Sequence, residues 1–419
     1  FYPMDSIPAT LFQFATSRVR IILILSHRFV PLMDFQFTPI QLLIQRSIRR
    51  FAKEMLAVLA PILDKEHQTH PKEIINQLAA QNLYGIQVPE EYEGAGLDSI
   101  SYCLAIEEIS KACAATGLMV TVHNSVVALP IATFGTDDQK RRYLSDLASG
   151  RKIGAFSITE PNAGSDVSGM QTVAVKDGND YVLNGMKCFV TNGAIAETYI
   201  IGATVDRKAG NKGVALFLVE KSFPGVSVGK IERKMGMRAN PVSELFFDNV
   251  RVPKENVLGK VTDGFKLSMK ILDMGRIGIA AQSLGIGMAA FEAAARYATE
   301  RKQFNQPIGE FQAIKFKLAE MKANLESARY LIYRAADLKD HGLPYSEASA
   351  MAKYVAAENA MKACTDAMQI FGGYGYVEEL PVERYFRDCK ITQIYEGTSE
   401  IMQIIIGNAI LKEFSGGFS

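Results

Sequence analysis

Glu396, near the end of the chain, has neighbours that suit proton-transfer chemistry. Ile394 and Tyr395 give it an apolar flank, and Gly397 removes a side chain where a substrate would pass. The Thr-Ser pair that follows can cap a helix and so fix the loop. An apolar, water-poor pocket raises the pKa of a carboxyl group toward the working range of a general base. The sequence therefore makes Glu396 a candidate catalytic base, although the same pattern would also fit a surface acid placed before a helix.

Several other chemistries and partners lack a signature in the sequence. Lys and Arg number 46 against 45 Asp and Glu, so the formal charge is +1 and no strong field exists to gather nucleic acid or an anionic membrane. The five cysteines form no C-x-x-C pair and the five histidines form no H-E-x-x-H motif, so we expect neither a disulfide framework nor a metal site. The simplest interpretation is a protein of a reduced intracellular compartment, whose anionic ligands are held by local groups.

The elements that must position Glu396 begin with helices. Thr38 followed by proline is a helix N-cap with proline at the first helical position, and apolar residues then recur at helical spacing as far as Leu59. Further helices are predicted over residues 71–83, 99–113 and 121–134, and from a capping box formed by Thr136 and Gln139 to near Gly150. We predict an N-terminal α-helical domain over residues 34–152.

The period of the pattern changes after residue 152. Short runs rich in β-branched residues alternate with the turn pairs Asp177-Gly178 and Asn184-Gly185, which are strong signals for hairpins. Three more runs of this kind follow, over residues 199–205, 214–219 and 245–252. Because no long helix separates the runs, we predict a middle β domain over residues 153–260 that forms an antiparallel barrel or sandwich.

Helical spacing returns after residue 261 and predicts a C-terminal α-helical bundle over residues 261–414. An apolar a/d-type seam extends from Phe311 to Ala335, and a second long helix precedes it. An Ala-rich helix extends from about Ser346 to Phe371, where two glycines stop it. The predicted fold class is mainly α with a central β domain.

Gly285-x-Gly287 in the long helix shares two glycines with a dinucleotide-binding fingerprint. It lacks the preceding strand and the third glycine of that motif. We interpret the pair as a place where helices pack closely.

Residues 1–33 differ from the rest and are predicted to be an N-terminal extension, disordered or foreign to the native chain. Arginines surround an apolar run at residues 21–25, which is far shorter than the roughly 20 residues of a transmembrane helix. The composition also fits a transit segment.

Five segments, in order along the chain, resemble signature segments of the acyl-CoA dehydrogenase family. They comprise residues 156–166, 187–193, 301–304, 369–375 and 393–400. The resemblance covers about residues 34–414 and is closest to the short-chain (butyryl-CoA) type. That family has an N-terminal helical domain, a β-barrel or sandwich and a C-terminal four-helix bundle, in agreement with the order of elements predicted from periodicity.

The resemblance implies FAD-dependent α,β-dehydrogenation of a short- to medium-chain acyl-CoA to the trans-2-enoyl-CoA, with Glu396 as the base. It also implies electron transfer to an electron-transferring flavoprotein and a homotetramer built as a dimer of dimers, with no nucleic acid, membrane or metal involved. A bacterial cytoplasm is the first expectation for its location, and a mitochondrial matrix is the second.

The same resemblance assigns binding roles to individual positions. It implies FAD contacts from Phe156, Ile158, Thr159, Ser165, Phe189, Thr191, Arg301, Phe304, Gln312, Gln369, Gly372, Gly373, Thr398 and Glu400. It implies substrate contacts from Ser165, Asp273, Arg276 and Gly397. Phe189 would stack on the isoalloxazine ring, and the Arg301 guanidinium would reach the pyrophosphate of a neighbouring subunit's FAD.

Three alternatives stay open at this level. An acyl-CoA oxidase shares the fold and the base but passes electrons to oxygen. An enoyl-CoA reductase would run the same site in reverse. A catalytically silent scaffold would keep the fold for binding alone.

Overall fold

The computed structural model describes residues 36–415, so the N-terminal extension predicted over residues 1–33 lies outside the described residues. Its first helix begins as predicted. The Thr38 backbone N–H donates to Gln41 Oε1 (2.9 Å), and the Gln41 N–H donates to Thr38 Oγ1 (3.2 Å). This reciprocal pair satisfies two of the N–H groups that a helix start leaves unpaired.

The regular secondary structure described in the N-terminal region is all helical. Its helices are α1 (Pro39–Phe51), α2 (Ala57–Glu66), α3 (Lys72–Ala80), α4 (Ser99–Ala112), α5 (Ala114–His123), α6 (Leu129–Phe134) and α7 (Asp137–Ala148). π-Helical turns at Ala52–Leu56 and Asn124–Ala128 join α1 to α2 and α5 to α6. The predicted capping box of Thr136 and Gln139 is confirmed at the start of α7.

The middle region is a seven-stranded sheet. Its strands are β1 (Gly154–Ser157), β2 (Val173–Asp177), β3 (Asp180–Thr191), β4 (Thr198–Thr204), β5 (Val214–Glu220), β6 (Val226–Ile231) and β7 (Val242–Pro253). The strand order is β1-β4-β2-β3-β7-β6, with β5 paired to β4. The inward side chains form one buried apolar core that includes Leu183, Phe217 and Leu245.

The strand directions differ from the expectation in one respect. The pairs β2–β3, β3–β7, β4–β5 and β6–β7 are antiparallel, as predicted. Two pairs are parallel instead: β2 meets β4 at Val173 and Thr204, and β1 lies alongside β4. The β2–β3 hairpin lies between these two strands in the chain. It serves as the crossover that a parallel pair needs and that a helix supplies in other folds.

The C-terminal region is again helical. It consists of α8 (Gly264–Glu300), a short hairpin of β8 (Lys302–Gln303) and β9 (Gln306–Pro307), α9 (Gln312–Asp340), α10 (Ser346–Phe371), α11 (Val382–Lys390) and α12 (Ser399–Phe414). Helices α8, α9 and α10 contact one another, and α12 packs on α10. The bounds predicted for the Ala-rich helix are those of α10.

Two helical stretches in the described part of the chain, Ala114–Phe134 and Gly264–Glu300, are long and apolar enough to span a membrane by length and composition. In each, however, most of the apolar window is buried inside the protein, 78% and 83% respectively. Apolar helices at the centre of a protein core meet the same criterion.

The Gly285-x-Gly287 pair lies inside α8 at close helix contacts, which confirms its interpretation as a packing feature. A Cβ at Gly285 would lie 2.5 Å from the Glu107 carbonyl oxygen of α4. A Cβ at Gly287 would lie 2.6 Å from Leu325 Cδ2 of α9 and 3.1 Å from the Ala360 Cα of α10. These glycines let α8 approach three neighbouring helices.

We predict that Gly285→Ala lowers the free energy of unfolding by about 1–3 kcal/mol, since the added methyl group forces α8 away from α4. Urea denaturation measures the change. Gly407→Ala is the matched control, because a Cβ there would meet no described atom within 4 Å. In α12 this alanine should raise the stability by up to about 1 kcal/mol through its better helix propensity. Equal effects of the two substitutions would contradict the account of packing.

Candidate active site

Glu396 lies in a tight loop between the 3₁₀ turn Ile391–Gln393 and helix α12. Its φ is +52°, and the φ of Gly397 is +104°. A non-glycine residue in the left-handed region is uncommon and persists only where the surroundings impose it. Thr398 caps α12, since its side chain accepts a hydrogen bond from the Ile401 N–H (3.3 Å). The predicted cap is thereby confirmed, and it fixes one end of the loop.

Glu396 is half-buried as a residue, and its carboxylate lies against Gly275 of α8. A Cβ at Gly275 would lie 2.0 Å from Glu396 Oε2 and 2.8 Å from Val126 Cγ1. Oε2 is buried and has no hydrogen-bond partner among the described residues. Burial raises the pKa of Glu396 to about 7, against the opposing effect of the Arg276 and Lys353 cations. The site thus holds an acid–base group poised near neutral pH, with a free oxygen that can accept a proton.

Two buried cations hold the backbone of this loop. The Arg276 Nε donates to the Glu396 carbonyl oxygen at 3.3 Å, and its Nη1 pairs with Asp273 Oδ1 at 2.6 Å. The Lys353 Nζ donates to the Gly397 carbonyl oxygen at 2.6 Å. Burial raises the pKa of Asp273 and lowers that of Lys353 to about 8. Asp273, Arg276 and Gly397, predicted as substrate contacts, therefore lie together at the loop that carries Glu396.

Neutral and acidic side chains fix the rest of the loop. The Tyr395 hydroxyl donates to Gln282 Oε1 of α8. The Glu358 carboxylate of α10 accepts from Gln393 Nε2 (2.8 Å) and from Ser399 Oγ (2.6 Å). The two ends of the loop are therefore tied to the same carboxylate. Glu400 is exposed in the first turn of α12.

A second group of predicted residues lies in the β domain. Thr159 follows β1, and its carbonyl oxygen accepts from the Cys188 N–H of β3 (3.1 Å). Phe156 and Thr159 are half-buried, Ile158 is buried and Ser165 is exposed. The structure thereby brings the segment around residue 159 alongside the segment that carries Phe189.

Phe189 is presented to solvent by a bulge in β3. The pairing of β3 with β7 shifts register between Lys187 and Val190, and the φ of Phe189 is +53°. The ring is 66% exposed, and Thr191 two residues on is half-buried. An extra residue in one strand re-aims the side chain at that point. The bulge explains how a sheet residue comes to expose a flat aromatic face.

The predicted residues of α8 to α10 form a separate group. Arg301, Gly372 and Gly373 line a cleft of about 830 Å³. The Arg301 guanidinium lies 5.5 Å from the Tyr374 ring centroid. The residues lining this cleft include none of the β-domain group and not Glu396.

The remaining predicted cofactor contacts of this region are exposed. Gln312 begins α9, and Gln369 lies in the last turn of α10. Phe304 is 87% exposed in the β8–β9 turn, where its φ is +53°. None of these three side chains lines the cleft that Arg301 lines.

Sequence reasoning missed several residues that support the site. Lys353, Gln282 and Glu358 hold the loop of Glu396. Beneath the β-domain group, the buried Lys187 Nζ pairs with Glu160 Oε1 at 2.6 Å. The spacing of the sequence does single out Lys353. It lies three residues before Ala356 and seven before Ala360, which places a lysine on the buried face of α10.

All three regions of the chain match models of one protein family. Models of the acyl-CoA dehydrogenase N-terminal, middle and C-terminal domains match residues 38–151, 155–250 and 262–411. The short-chain specific acyl-CoA dehydrogenase of Clostridium acetobutylicum is 48% identical over 380 residues, which are 91% of this chain and all of that protein.

Two solved structures are similar over most of this chain. Butyryl-CoA dehydrogenase from Megasphaera elsdenii has a TM-score of 0.89 and 45% identity, covering 90% of this chain and 100% of that one. A chain from work on the electron transferring flavoprotein of Acidaminococcus fermentans has a TM-score of 0.89 and 48% identity, covering 91% and 100%. With matching domains along the chain and relatives of full length at this identity, the protein belongs to the acyl-CoA dehydrogenase family.

Proposed function

We propose that the protein oxidises a short- to medium-chain acyl-CoA thioester to the trans-2-enoyl-CoA and passes the electrons to an electron-transferring flavoprotein. The observation that carries this proposal is the buried Glu396 carboxylate, which lies against Gly275 with one oxygen unpaired. The family and the named substrates of the similar short-chain and butyryl-CoA enzymes support the choice of reaction and acyl length.

In this mechanism Glu396 removes the α-proton of the thioester. That hydrogen is a very weak acid, so the developing enolate must be stabilised as the proton leaves. The chain's own donor for the thioester oxygen is the backbone N–H of Glu396. The loop that carries this N–H is held in place, because Arg276 donates to the Glu396 carbonyl oxygen and Lys353 donates to the Gly397 carbonyl oxygen. A pKa of about 7 leaves a useful fraction of the carboxylate deprotonated at neutral pH while keeping it basic. Gly397 leaves room for the substrate to pass.

The residues at the two remaining groups fit FAD. The exposed Phe189 ring offers a stacking face, and Thr191 beside it can donate to the polar edge of the flavin. The Arg301 cation at the rim of the 830 Å³ cleft fits a pyrophosphate. When bound, FAD supplies the two-electron acceptor for the β-hydrogen.

The separation of these groups supports an oligomer. Arg301 and the glycines at the end of α10 line a cleft that Phe156, Thr159 and Phe189 do not reach. A symmetric assembly would let one subunit complete the cofactor site of its neighbour. We propose the homotetramer, a dimer of dimers, on this ground.

We also propose a cytoplasmic location in a bacterium, with the mitochondrial matrix second, and domain boundaries at 152/153 and 260/261.

We predict that the purified protein is yellow and releases FAD on denaturation. FAD should be bound non-covalently, because the contacts proposed for it are stacking on Phe189 and a charge interaction with Arg301. Absorbance of the native protein and chromatography of the released cofactor measure this. Arg301→Ala should weaken FAD retention on dilution, whereas Arg207→Ala, an exposed arginine of the β domain, should not. Release of FMN, or equal retention in both variants, would contradict the assignment.

We predict that Glu396→Gln retains FAD and acyl-CoA but slows flavin reduction by substrate by at least roughly 10²–10⁴-fold, because the amide keeps the shape and loses the base. In the native enzyme, the rate of reduction should rise with pH through about 7, since only the deprotonated carboxylate accepts the proton. Stopped-flow absorbance of the flavin measures both, with a panel of acyl-CoA esters to identify the preferred acyl group.

Glu347→Gln, an exposed glutamate in the first turn of α10, is the control for this variant and should change neither the rate nor the pH profile. Near-normal reduction in Glu396→Gln would mean that another residue is the base. A native enzyme that no acyl-CoA reduces would reject the function itself.

The electron acceptor distinguishes the alternatives. An oxidase would consume oxygen during acyl-CoA turnover, whereas the proposed enzyme should reduce an electron-transferring flavoprotein and consume little oxygen. A colourless protein that binds acyl-CoA without turnover would favour a scaffold. Kinetics distinguishes a reductase. Such an enzyme would reduce an enoyl-CoA with reduced electron-transferring flavoprotein faster than it would oxidise the acyl-CoA.

A further inference from the structure

We propose that Lys353 is a positioning residue for Glu396: its ammonium group holds the Gly397 carbonyl and so fixes the backbone that aims the carboxylate. This inference rests on the proposed function, in which Glu396 is the base. Lys353 lies on α10 and belongs to a different element from either Glu396 or Arg276. None of the five segments that resemble family signatures includes Lys353.

The placement of Lys353 is unusual for a lysine. The residue is 0% exposed, although lysine is almost never fully buried without a partner. Its Nζ makes a 2.6 Å hydrogen bond to the Gly397 carbonyl oxygen, and the residue shares the buried face of α10 with several alanines. Taking an ammonium group out of water is costly, so the interaction at its end must offset a large desolvation penalty.

The hydrogen bond falls where the backbone is strained. Glu396 and Gly397 are successive residues with φ of +52° and +104°. Arg276 of α8 donates to the Glu396 carbonyl oxygen at 3.3 Å, and Lys353 of α10 donates to the Gly397 carbonyl oxygen at 2.6 Å. The two successive peptide units on either side of Gly397 are therefore held from two helices. Without Lys353, the restraint on the Gly397 carbonyl is lost, and only Arg276 still holds the backbone of this loop.

The charge of Lys353 also acts on the carboxylate. The titratable and charged groups around Glu396 and Lys353 are Asp273 and Arg276 on α8, Tyr102 on α4, Glu358 on α10, Tyr395 in the loop and Glu400 on α12. The two cations, Arg276 and Lys353 itself, favour the ionised form of Glu396 and so lower its pKa, whereas burial raises that pKa. Removing one cation should therefore raise the pH at which Glu396 becomes a base.

The test uses the flavin-loaded protein and the variant Lys353→Met, which keeps the length and removes the charge and the donor. At saturating acyl-CoA, we expect flavin reduction to slow by on the order of 10- to 100-fold, because the base is misplaced. The dissociation constant of the acyl-CoA should change little. The midpoint of the rise of the rate with pH should move upward by on the order of one unit. Hydrogen–deuterium exchange in a peptide covering residues 393–402 should become faster, a readout that does not depend on turnover.

Lys362→Met is the matched control. Lys362 lies on the same helix but is exposed, where it pairs with Glu320 and Asp366 at 3.0 Å each. Its loss should alter neither the pH midpoint nor the exchange of the loop. A lysine that only stabilised the fold would leave the pH midpoint in place, so the midpoint separates the two roles.

The proposal is overturned if the pH midpoint of Lys353→Met equals that of the native enzyme, whatever the rate. It is overturned equally by a shifted midpoint with an unchanged rate, since positioning would then play no part. If Lys353→Met gives no flavin-loaded protein, Lys353→Gln decides by the same criteria, and failure of both to fold would assign the lysine to folding. A native enzyme that no acyl-CoA reduces would instead reject the proposed function, so the two failures are distinguishable.

Discussion

The burial of the Glu396 carboxylate against Gly275 is the constraint on which the rest of the site depends. Burial alone would drive the carboxyl group to its neutral form, and a permanently protonated acid is no base. Arg276 and Lys353 offset part of that effect from opposite helices, so the pKa of Glu396 comes to about 7. The geometry also requires a glycine at position 275, because a Cβ there would overlap the carboxylate oxygen. Any side chain in that place would displace the carboxylate from its pocket.

Helix α8 provides the platform for this arrangement. Its Gly275 leaves room for the Glu396 carboxylate, and its Arg276 donates to the Glu396 carbonyl oxygen. Its Gln282 accepts the hydrogen bond of the Tyr395 hydroxyl. Its glycines at 285 and 287 let α4, α9 and α10 approach, which brings Lys353 and Glu358 of α10 within reach of the same loop. The β domain is tied to the helical region by Asn192, whose Nδ2 lies 3.1 Å from the Met119 carbonyl oxygen and 3.3 Å from that of Gly154. That link lies next to Thr191, so it also sets the position of the segment that carries Phe189.

Much of the fold was predictable from periodicity, and the limits of that prediction have physical causes. The bounds of α10 and the caps at Thr38, Thr136 and Thr398 follow from local chemistry that the sequence displays. The parallel pairing of β1 and β4 does not, because alternation within a strand contains no information about the direction of its neighbour. The proposed role of Lys353 follows from no motif, because a single charged residue within an Ala-rich helix is marked only by its position on the buried face of that helix. The FAD contacts stay predictions that rest on the resemblance, whereas the role of Glu396 is a proposal that is also supported by its unpaired, buried Oε2.

The central claim is that Glu396 is a desolvated carboxyl group that loses its proton near neutral pH. Infrared difference spectroscopy of the native protein against Glu396→Gln, recorded as a function of pH, observes this group directly. The account predicts a protonated-carboxyl C=O band that disappears with a midpoint at about pH 7 and is absent from the variant. A band that disappears near pH ~4.3, the value of an ordinary glutamate, would contradict it.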